Sequence, residues 1–481
     1  MEKGFKLQAE IEKSSKEDNK KILENTRDKL EKERTMNLSI KEGSFTSAMS
    51  GLGDSYVTPY ALTLNANNAQ IGFLSSFVGL ISPLSQLFGS RLMEKYPRKK
   101  IIVTFVLFQA LVWIPILLLS FLFWKNLLVK YLPVLLIVFY SLYAVFGAVV
   151  SPSWFSLLGD IVPEKIRGKY FSKRNRINGS VALISTLIAA FLLDYFKTKG
   201  LILIGFSILF FLACIFRLSS DYLFSKHYDP KFKLQDGYFF SIFQFAKKST
   251  SNNFGKFVIF VSLINLATAI AGPFFTVYML KDLHFSYTTF MLVNISSSIF
   301  SLLSFPLWGR ISDKYGNREL LRIGSVLVPF LPIFWLVSSS PYYLAFVPQL
   351  IGGIGWAAFN FGASNFIFDS VSPQRRGLCV AYYNIFVGIG IFIGASLGGL
   401  LANYLSISFM NKLLFIFLIS GITRLLIVFI FLPLIREIRE VKKAKRNPVL
   451  YFKELMPMKG VVYELGHNLT KITNKIGSLR I

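Results

Sequence analysis

The sequence predicts an all-α integral membrane protein with twelve transmembrane helices in two pseudo-symmetric six-helix bundles. Three observations predict it. Apolar runs of about the length a bilayer requires, roughly 20 residues, recur twelve times. The loops between them are rich in cations at every second turn. Landmarks in the first half return in the second at nearly constant spacing.

The apolar runs begin near Phe45, Gln70, Ile101, Tyr131, Ile177, Leu201, Phe257, Thr288, Leu320, Tyr342, Leu378 and Ser408. The first is diluted by Ser, Gly and Asp54, and a polar break from Gly159 to Arg176 divides the fourth from the fifth. The 53% hydrophobic content of the 481 residues agrees with lipid as the solvent. Five regions follow: a charged N-terminal tail (1–42), a first bundle (43–224), a linker (225–254), a second bundle (255–434) and a basic C-terminal tail (435–481).

Lys and Arg total 53 against 26 Asp and Glu, a net charge of +27. A nucleic-acid partner would need those cations on one soluble face. Here they fall in short clusters after spans 2, 4, 6, 8 and 10: Arg98 to Lys100, Arg167 to Arg176, Lys226 to Lys248, Arg310 to Arg322, and Arg375-Arg376. The odd-numbered loops hold few cations or none, so the charge reads as topology. It places both termini in the cytoplasm of a multi-pass plasma-membrane protein, with lipid and not nucleic acid as the surroundings. A monomer is expected.

Cys214 and Cys379 form no disulfide framework, and His227, His284 and His467 are scattered, so neither a metal nor a cofactor is expected. Met1 to Ile40 lacks the apolar core of a signal peptide, which leaves the first span to serve as its own uncleaved signal. Phe239, Phe240, Phe243 and Phe245 in the linker suit a segment lying on the membrane surface. Val449, Leu450, Phe452 and Leu455 in the basic tail fit either contact with anionic headgroups or a plain solvated tail.

The halves repeat. Asp160, Arg167 and Asn175 after span 4 each precede Asp369, Arg376 and Asn384 after span 10 by 209 residues. Pro59 precedes Pro273 by 214, Arg217 precedes Arg424 by 207, and Glu94-Lys95 precedes Asp313-Lys314 by 219. With six spans in each half the repeats are parallel, related by an axis along the membrane normal.

After span 8 stand Gly309, Asp313, Lys314, Gly316, Asn317 and Arg318, and after span 2 Ser90, Glu94, Lys95, Pro97, Arg98 and Lys99. The first set resembles the loop G-x-x-x-D-(R/K)-x-G-(R/K)-(R/K) of the major facilitator superfamily with Asn317 its one departure; the second resembles it more loosely. The acid-x6-Arg-Gly signature of that family occurs as Asp160/Arg167/Gly168 and again as Asp369/Arg376/Gly377. The resemblance covers nearly all of Phe45 to Leu434. It implies that spans 1, 4, 7 and 10 line a central cavity and that these basic loops act as gates at the cytoplasmic face.

The charges carry their own logic. Asp160 and Asp369 end helices, where the macrodipole disfavours an anion, and Arg167 and Arg376 begin the next helices, where it disfavours a cation. Pairing Asp160 with Arg167, and Asp369 with Arg376, would offset both. These residues serve either as gates between rocking halves or as orientation signals and loop caps.

Asp54 is the acid that stands well inside an apolar run, and its counterpart in the second half is near Thr268. An ionisable group in a bilayer costs about 2.5–3.5 kcal/mol on insertion scales, which marks Asp54 as a site for a proton or a substrate cation. A buried Asp bonded to a neighbouring helix is the other reading. Trp154, Asn265 and Asn360 fall on spans expected to line the cavity, and Asn178 and Asn294 on spans between the halves. Each either meets a polar solute or bonds one helix to another. Arg217 and Arg424 suit a structural or snorkelling role. Gly390, Gly394, Gly398 and Gly399 in span 11 suit close helix packing.

No P-loop G-x-x-x-x-G-K-(S/T) occurs, and the spans hold no paired His or H-E-x-x-H. The expectation is a secondary transporter of a small solute, proton-coupled if Asp54 titrates, and not an enzyme. A transport-like sensor or scaffold without flux is the alternative.

Overall fold

The computed structural model describes residues 2–230, 245, 247, 252–371 and 373–441, excluding the side chains of 2–25, 164, 165, 168 and 373–377. The described residues are helical and contain no strand. Twelve spans follow in order. They are α1 (Glu2–Leu52, continued by Asp54–Tyr56 and Val57–Thr63), α2 (Asn68–Leu92), α3 (Arg98–Trp124), α4 (Val129–Ile161), α5 (Glu164–Thr198) and α6 (Ile202–Ser225). The second half holds α7 (Asn253–Asp282), α8 (Tyr287–Tyr315), α9 (Asn317–Leu327 with Phe330–Phe334), α10 (Pro341–Ser370), α11 (Pro373–Tyr404) and α12 (Lys412–Leu434). Ten of these helices are long and apolar enough to cross a bilayer; the two that fall short by that measure, α1 and α9, are both interrupted.

The interruptions follow from sequence. In α1 the helix breaks at Gly53, and Pro59 can donate no hydrogen bond back to the Ser55 carbonyl. Pro329 and Pro332 break α9, and Pro273 interrupts α7. Starts are set by caps: Asn67 and Gln70 form a reciprocal capping box on α2, while Ser286 and Asn411 cap α8 and α12. The segment before residue 43 and the first span are one unbroken helix, and Thr35, Ser39 and Glu42 are already buried in it. Most of the linker, including Phe239, Phe240 and Phe243, and the tail beyond residue 441 lie outside the described residues; Phe245 is buried against Phe254, Tyr382 and Phe386.

Packing distinguishes the two ends of the molecule. At the end away from the basic loops, one apolar core joins both halves, drawing Tyr56, Tyr60, Phe206 and Phe210 together with Phe274, Tyr287, Trp335 and Phe417. At the basic end the halves have separate cores, one around Ile102, Val106, Leu157 and Phe224, the other around Phe257, Phe260, Phe359 and Phe366.

Two seams connect the halves. Along α2 and α11 the backbones nearly touch: a methyl group on Gly72 would lie 2.6 Å from the Ala395 carbonyl oxygen, and one on Gly388 2.5 Å from that of Gly79. Asn68 donates to the Ala402 carbonyl (2.9 Å) at one end of this seam, and Asn384 to Gln86 (3.4 Å) at the other. The α11 glycines work as their spacing predicts, since Gly390, Gly394 and Gly398 sit against the backbone of α7 at Ser262, Leu266 and Ile270. The second seam, between α5 and α8, is closed at one end only.

Candidate functional site

Asp194 stands one turn before the end of α5, where the helix dipole disfavours an anion. Its carboxylate meets the opposite pole in the other half. It accepts hydrogen bonds from the backbone N–H of Tyr287 (2.7 Å) and Thr288 (2.9 Å) and from the Thr288 hydroxyl (2.6 Å), in the first turn of α8. The Lys197 ammonium lies 5.5 Å from the centre of the Tyr287 ring. Together with the shared apolar core these contacts seal the end away from the basic loops.

Toward the basic end α5 and α8 part around a cavity of about 1070 Å³. One wall is the α5 face carrying Ser172, Asn175, Arg176, Gly179 and Ser180. The other is the α8 face carrying Asn294, Ser297, Ser298 and Ser301. Three- and four-residue spacing puts each set on one side of its helix. Trp356 and Asn360 of α10 and Ser55 at the kink of α1 also line it, and apolar side chains, among them Leu183, Ile295, Leu302 and Phe305, make up most of the surface between the polar groups.

Of the six residues expected to meet solute, Asn294 and Asn360 line this cavity; Asp54, Trp154, Asn178 and Asn265 do not. The Asn294 amide donates to the Phe290 carbonyl (2.9 Å), and the Asn265 amide to that of Val261 (2.9 Å), each one turn back on its own helix. Asn178 is buried and accepts from the Ser44 hydroxyl (3.2 Å). The Trp154 ring lies under the Arg174 guanidinium at 4.8 Å. Asp54 turns from the cavity, which its neighbour Ser55 reaches, and takes the Tyr143 hydroxyl (3.1 Å) on one oxygen.

A second acid lies within the first bundle, contrary to the reading that Asp54 stands alone. Glu42 is 2% exposed and accepts from Thr46 (2.8 Å) and Ser220 (3.2 Å), with Arg174 3.5 Å away. Arg217 donates to Thr46 (2.8 Å) and twice to Gln109 (2.8 and 2.5 Å). Gln109 in turn donates to the Tyr143 carbonyl (3.3 Å), so a polar line runs from Trp154 and Arg174 at the basic end to Tyr143 and Asp54. Arg217 and Arg424 do not snorkel to the surface: they are 6% and 1% exposed. The line is not duplicated. Where Gln109 serves Arg217, Val328 stands 219 positions on, and Arg424 donates to its backbone carbonyl (3.0 Å).

The basic-face motifs depart from the expected pairing. Asp160 takes Arg98 (2.6 Å), while Arg167 donates to the carbonyls of Gly159 (2.9 Å) and Val162 (3.4 Å) at the end of α4. Arg98, 1% exposed, also meets Asp229 beyond α6 (3.1 Å) and Ser156 (3.0 Å). The physical reason is geometric. From the turn it occupies, Arg167 reaches the orphan carbonyls that end α4, and Arg98 brings a full cation to Asp160 from α3. In the second half Asn317, the one departure from the family pattern, is buried and donates to Asp369 (2.5 Å), while Ser312 donates to it (2.6 Å). Arg98 and Asn317 are thus repeat partners, one charged and one neutral, each holding the acid that ends the fourth helix of its half. The side chain of Arg376 is outside the described residues. Glu94, Asp313 and Lys314 are exposed, and Gly309 borders a smaller cavity beside Asp313 and Asp369.

Duplicated caps complete this face. Asp229 accepts from the Lys99 N–H (3.0 Å) at the start of α3, and Glu437 from the Arg318 N–H (2.7 Å) at the start of α9. Gly316 has φ +88, and a side chain there would strike the Glu437 carboxylate, which explains glycine at this turn. Its counterpart Pro97 has φ −56, so the two copies turn differently. Beside Asp229, His227 is 2% exposed with neither ring nitrogen bonded among the described residues. Burial, then the charges of Lys99 and Arg174, push its pKa down to about 4.

Comparison with known proteins gives a consistent result. The family model described as Major Facilitator Superfamily matches residues 43–250 and 257–468. An uncharacterized MFS-type transporter of Methanocaldococcus jannaschii is 25% identical over 376 residues, covering 76% of this chain and 92% of that protein. Multidrug resistance protein 1 of Bacillus subtilis is 24% identical over 190 residues, 40% of this chain and 44% of that protein. Among solved structures, a mutant of the nucleoside transporter NupG aligns with TM-score 0.62 at 16% identity, covering 83% of this chain and all (100%) of that one. A bacterial homologue of the iron transporter ferroportin in its inward-facing state aligns with TM-score 0.63 at 15% identity over 83% and 98% of the two chains.

Proposed function

The chain belongs to the Major Facilitator Superfamily, and from that premise we propose that it carries a small polar solute across the plasma membrane by alternating access. In this reading the basic loops and both termini face the cytoplasm, and the protein works as a monomer, without cofactor and without catalysis. The observation that carries it is a cavity of about 1070 Å³ walled by both halves, sealed at one end and open toward the basic loops. On this reading the state is inward-facing, and its partner state would break the Asp194 contact and close the gap between α5 and α8.

The chain has no phosphate-binding loop, so the gradient of the solute or of a coupled ion supplies the energy. Asp54 is the proposed proton site. It sits where α1 breaks, beside the cavity residue Ser55 and at the end of the polar line through Arg217 and Glu42. Trp154, against Arg174, and Asn178, against Ser44, are proposed to hold neighbouring helices together, whereas Asn265 bonds back onto α7. At the basic face Glu94, Arg98, Asp160, Arg167, Gly309, Asp313, Lys314, Gly316, Arg318, Asp369 and Arg376 form the proposed cytoplasmic gate. The related proteins carry different solutes by name, so they nominate none here.

Reconstituted protein tests the reading. Asp54→Asn should abolish accumulation driven by a pH gradient while leaving the melting temperature in detergent unchanged. Uphill uptake by that variant at the wild-type rate removes Asp54 from coupling. Absence of flux for every member of a metabolite panel, from protein shown to be folded, sinks the transporter reading itself.

A further inference from the structure

Resting on the transporter reading above, we propose that the cavity takes a small hydroxylated anion, with its negative charge met by Arg176. Two facts about the lining lead there. Both walls set amides and hydroxyls among apolar side chains: Asn175 and Ser180 beside Leu183 on α5 face Asn294, Ser298 and Ser301 beside Leu302 on α8, one set from each half. The amides and hydroxyls exchange hydrogen bonds with hydroxyl groups, and the apolar side chains between them pack against a carbon skeleton.

The charge is one-sided. Among the described residues Arg176 is the lining group that carries a charge, and no acid lines the cavity. Arg176 has no hydrogen-bond or ion-pair partner among the described residues, whereas nearby Arg174 is held by Glu42, Ser39 and the Trp154 ring. Asp54, the acid that would draw a cationic solute, turns instead to Tyr143. A lone cation between low-dielectric walls gives the space a positive potential that concentrates anions and repels cations. A guanidinium also offers two parallel N–H donors, which match a carboxylate or a phosphate oxygen pair. The carried solute therefore has one oxyanion to meet Arg176 on the α5 wall and hydroxyl groups to meet the serines and asparagines of α8. Asn360 on α10 supplies a further amide to the lining.

The charge of the cavity can be read without knowing the natural solute. Cys214 and Cys379 are buried and are replaced by alanine, and Ser298→Cys places one thiol on the α8 wall. An anionic sulfonatoethyl methanethiosulfonate should label it about tenfold faster than the cationic trimethylammonioethyl reagent, after correction for their rates with a free thiol. Arg176→Gln should remove that preference and Arg176→Lys should keep it, while high salt should weaken it in the unaltered cavity. Faster labelling by the cation, or a preference that Arg176→Gln leaves intact, overturns the proposal.

A matched series then separates the two layers of the argument: glucose 6-phosphate, glucose and glucosamine share one skeleton and differ in charge. Tightest binding of glucose 6-phosphate, lost in Arg176→Gln, supports the anion site; equal or tighter binding of glucosamine overturns it, as does binding of none of the three. Flux of glucose or glucosamine without flux of glucose 6-phosphate would overturn the anion assignment and leave the transporter reading standing. Binding of glucose 6-phosphate that depends on Arg176 but is never followed by flux of any solute would do the reverse.

Discussion

Asp194 offers the sharpest test of how the two halves are balanced. Its carboxylate crosses from one bundle to the other and takes three hydrogen bonds at the first turn of α8. Hydrogen bonds to a charged group contribute about 1.5–3 kcal/mol each, and an anion at a helix N-terminus adds about 0.3–1 kcal/mol. At the low end the contact is worth about 5 kcal/mol. Asparagine keeps one acceptor oxygen and loses the charge, so Asp194→Asn should remove about 2 kcal/mol. The contact belongs to the state with its far end closed, so the loss falls on that state alone. Two kcal/mol is a factor of about 30, enough to raise a 1% far-end-open population to about a quarter. Spin labels at Lys199 and Phe409, on exposed far-end loops of opposite halves, would report the change as a longer interlabel distance. A distance distribution identical in wild type, Asp194→Asn and Asp194→Ala would refute the idea that this contact sets the balance.

Three further outcomes follow from the basic face. Arg98→Gln should cost about 3 kcal/mol, because it strips the cation from Asp160 and Asp229; Asn317→Leu, breaking the neutral counterpart at Asp369, should cost about 1–2 kcal/mol, and equal losses in chemical denaturation would contradict the comparison. His227 makes stability pH-dependent: its folded pKa is depressed to about 4 from 6.5, so the unfolded chain takes up the proton first. Stability is then complete above pH 6.5 and falls by up to about 3 kcal/mol as the pH drops toward 4. His227→Phe, which can pack on Phe224 as the imidazole does at 5.2 Å, should flatten that part of the pH profile, and an unchanged profile would count against it.

The spans were legible because hydropathy and loop charge are summed over many residues. The repeat was legible too, and the family model matches each half separately. Partners were harder. The position of Asp160 at a helix end says that it needs a cation, yet Arg98 and Arg167 both qualify in sequence, and only the placement of α3 decides between them. The same dipole argument applies to Asp194, four residues from the end of α5, and would have flagged it; what it could not supply is the partner, 93 residues away in the other half. Glu42 escaped for another reason. It follows Lys41 at the edge of a charged segment, and its burial depends on Ser220 and Arg174 arriving from two other helices to join Thr46 of its own. Asn317 reads in sequence as a lapse from a basic pattern, whereas in the fold its amide donates to Asp369 where Arg98 serves Asp160.

The glycine-lined contact of α2 with α11 has a mechanical consequence. With backbones meeting near Gly72, Gly79 and Gly388, that edge resembles the spine of a book, and the pages can part only along α5 and α8. Reversible staples expose the difference: a disulfide introduced between α2 and α11 should leave turnover largely intact, while one between α5 and α8 should halt it until reduced. If the spine-side staple were the one that stopped transport, the fulcrum would have to be sought elsewhere.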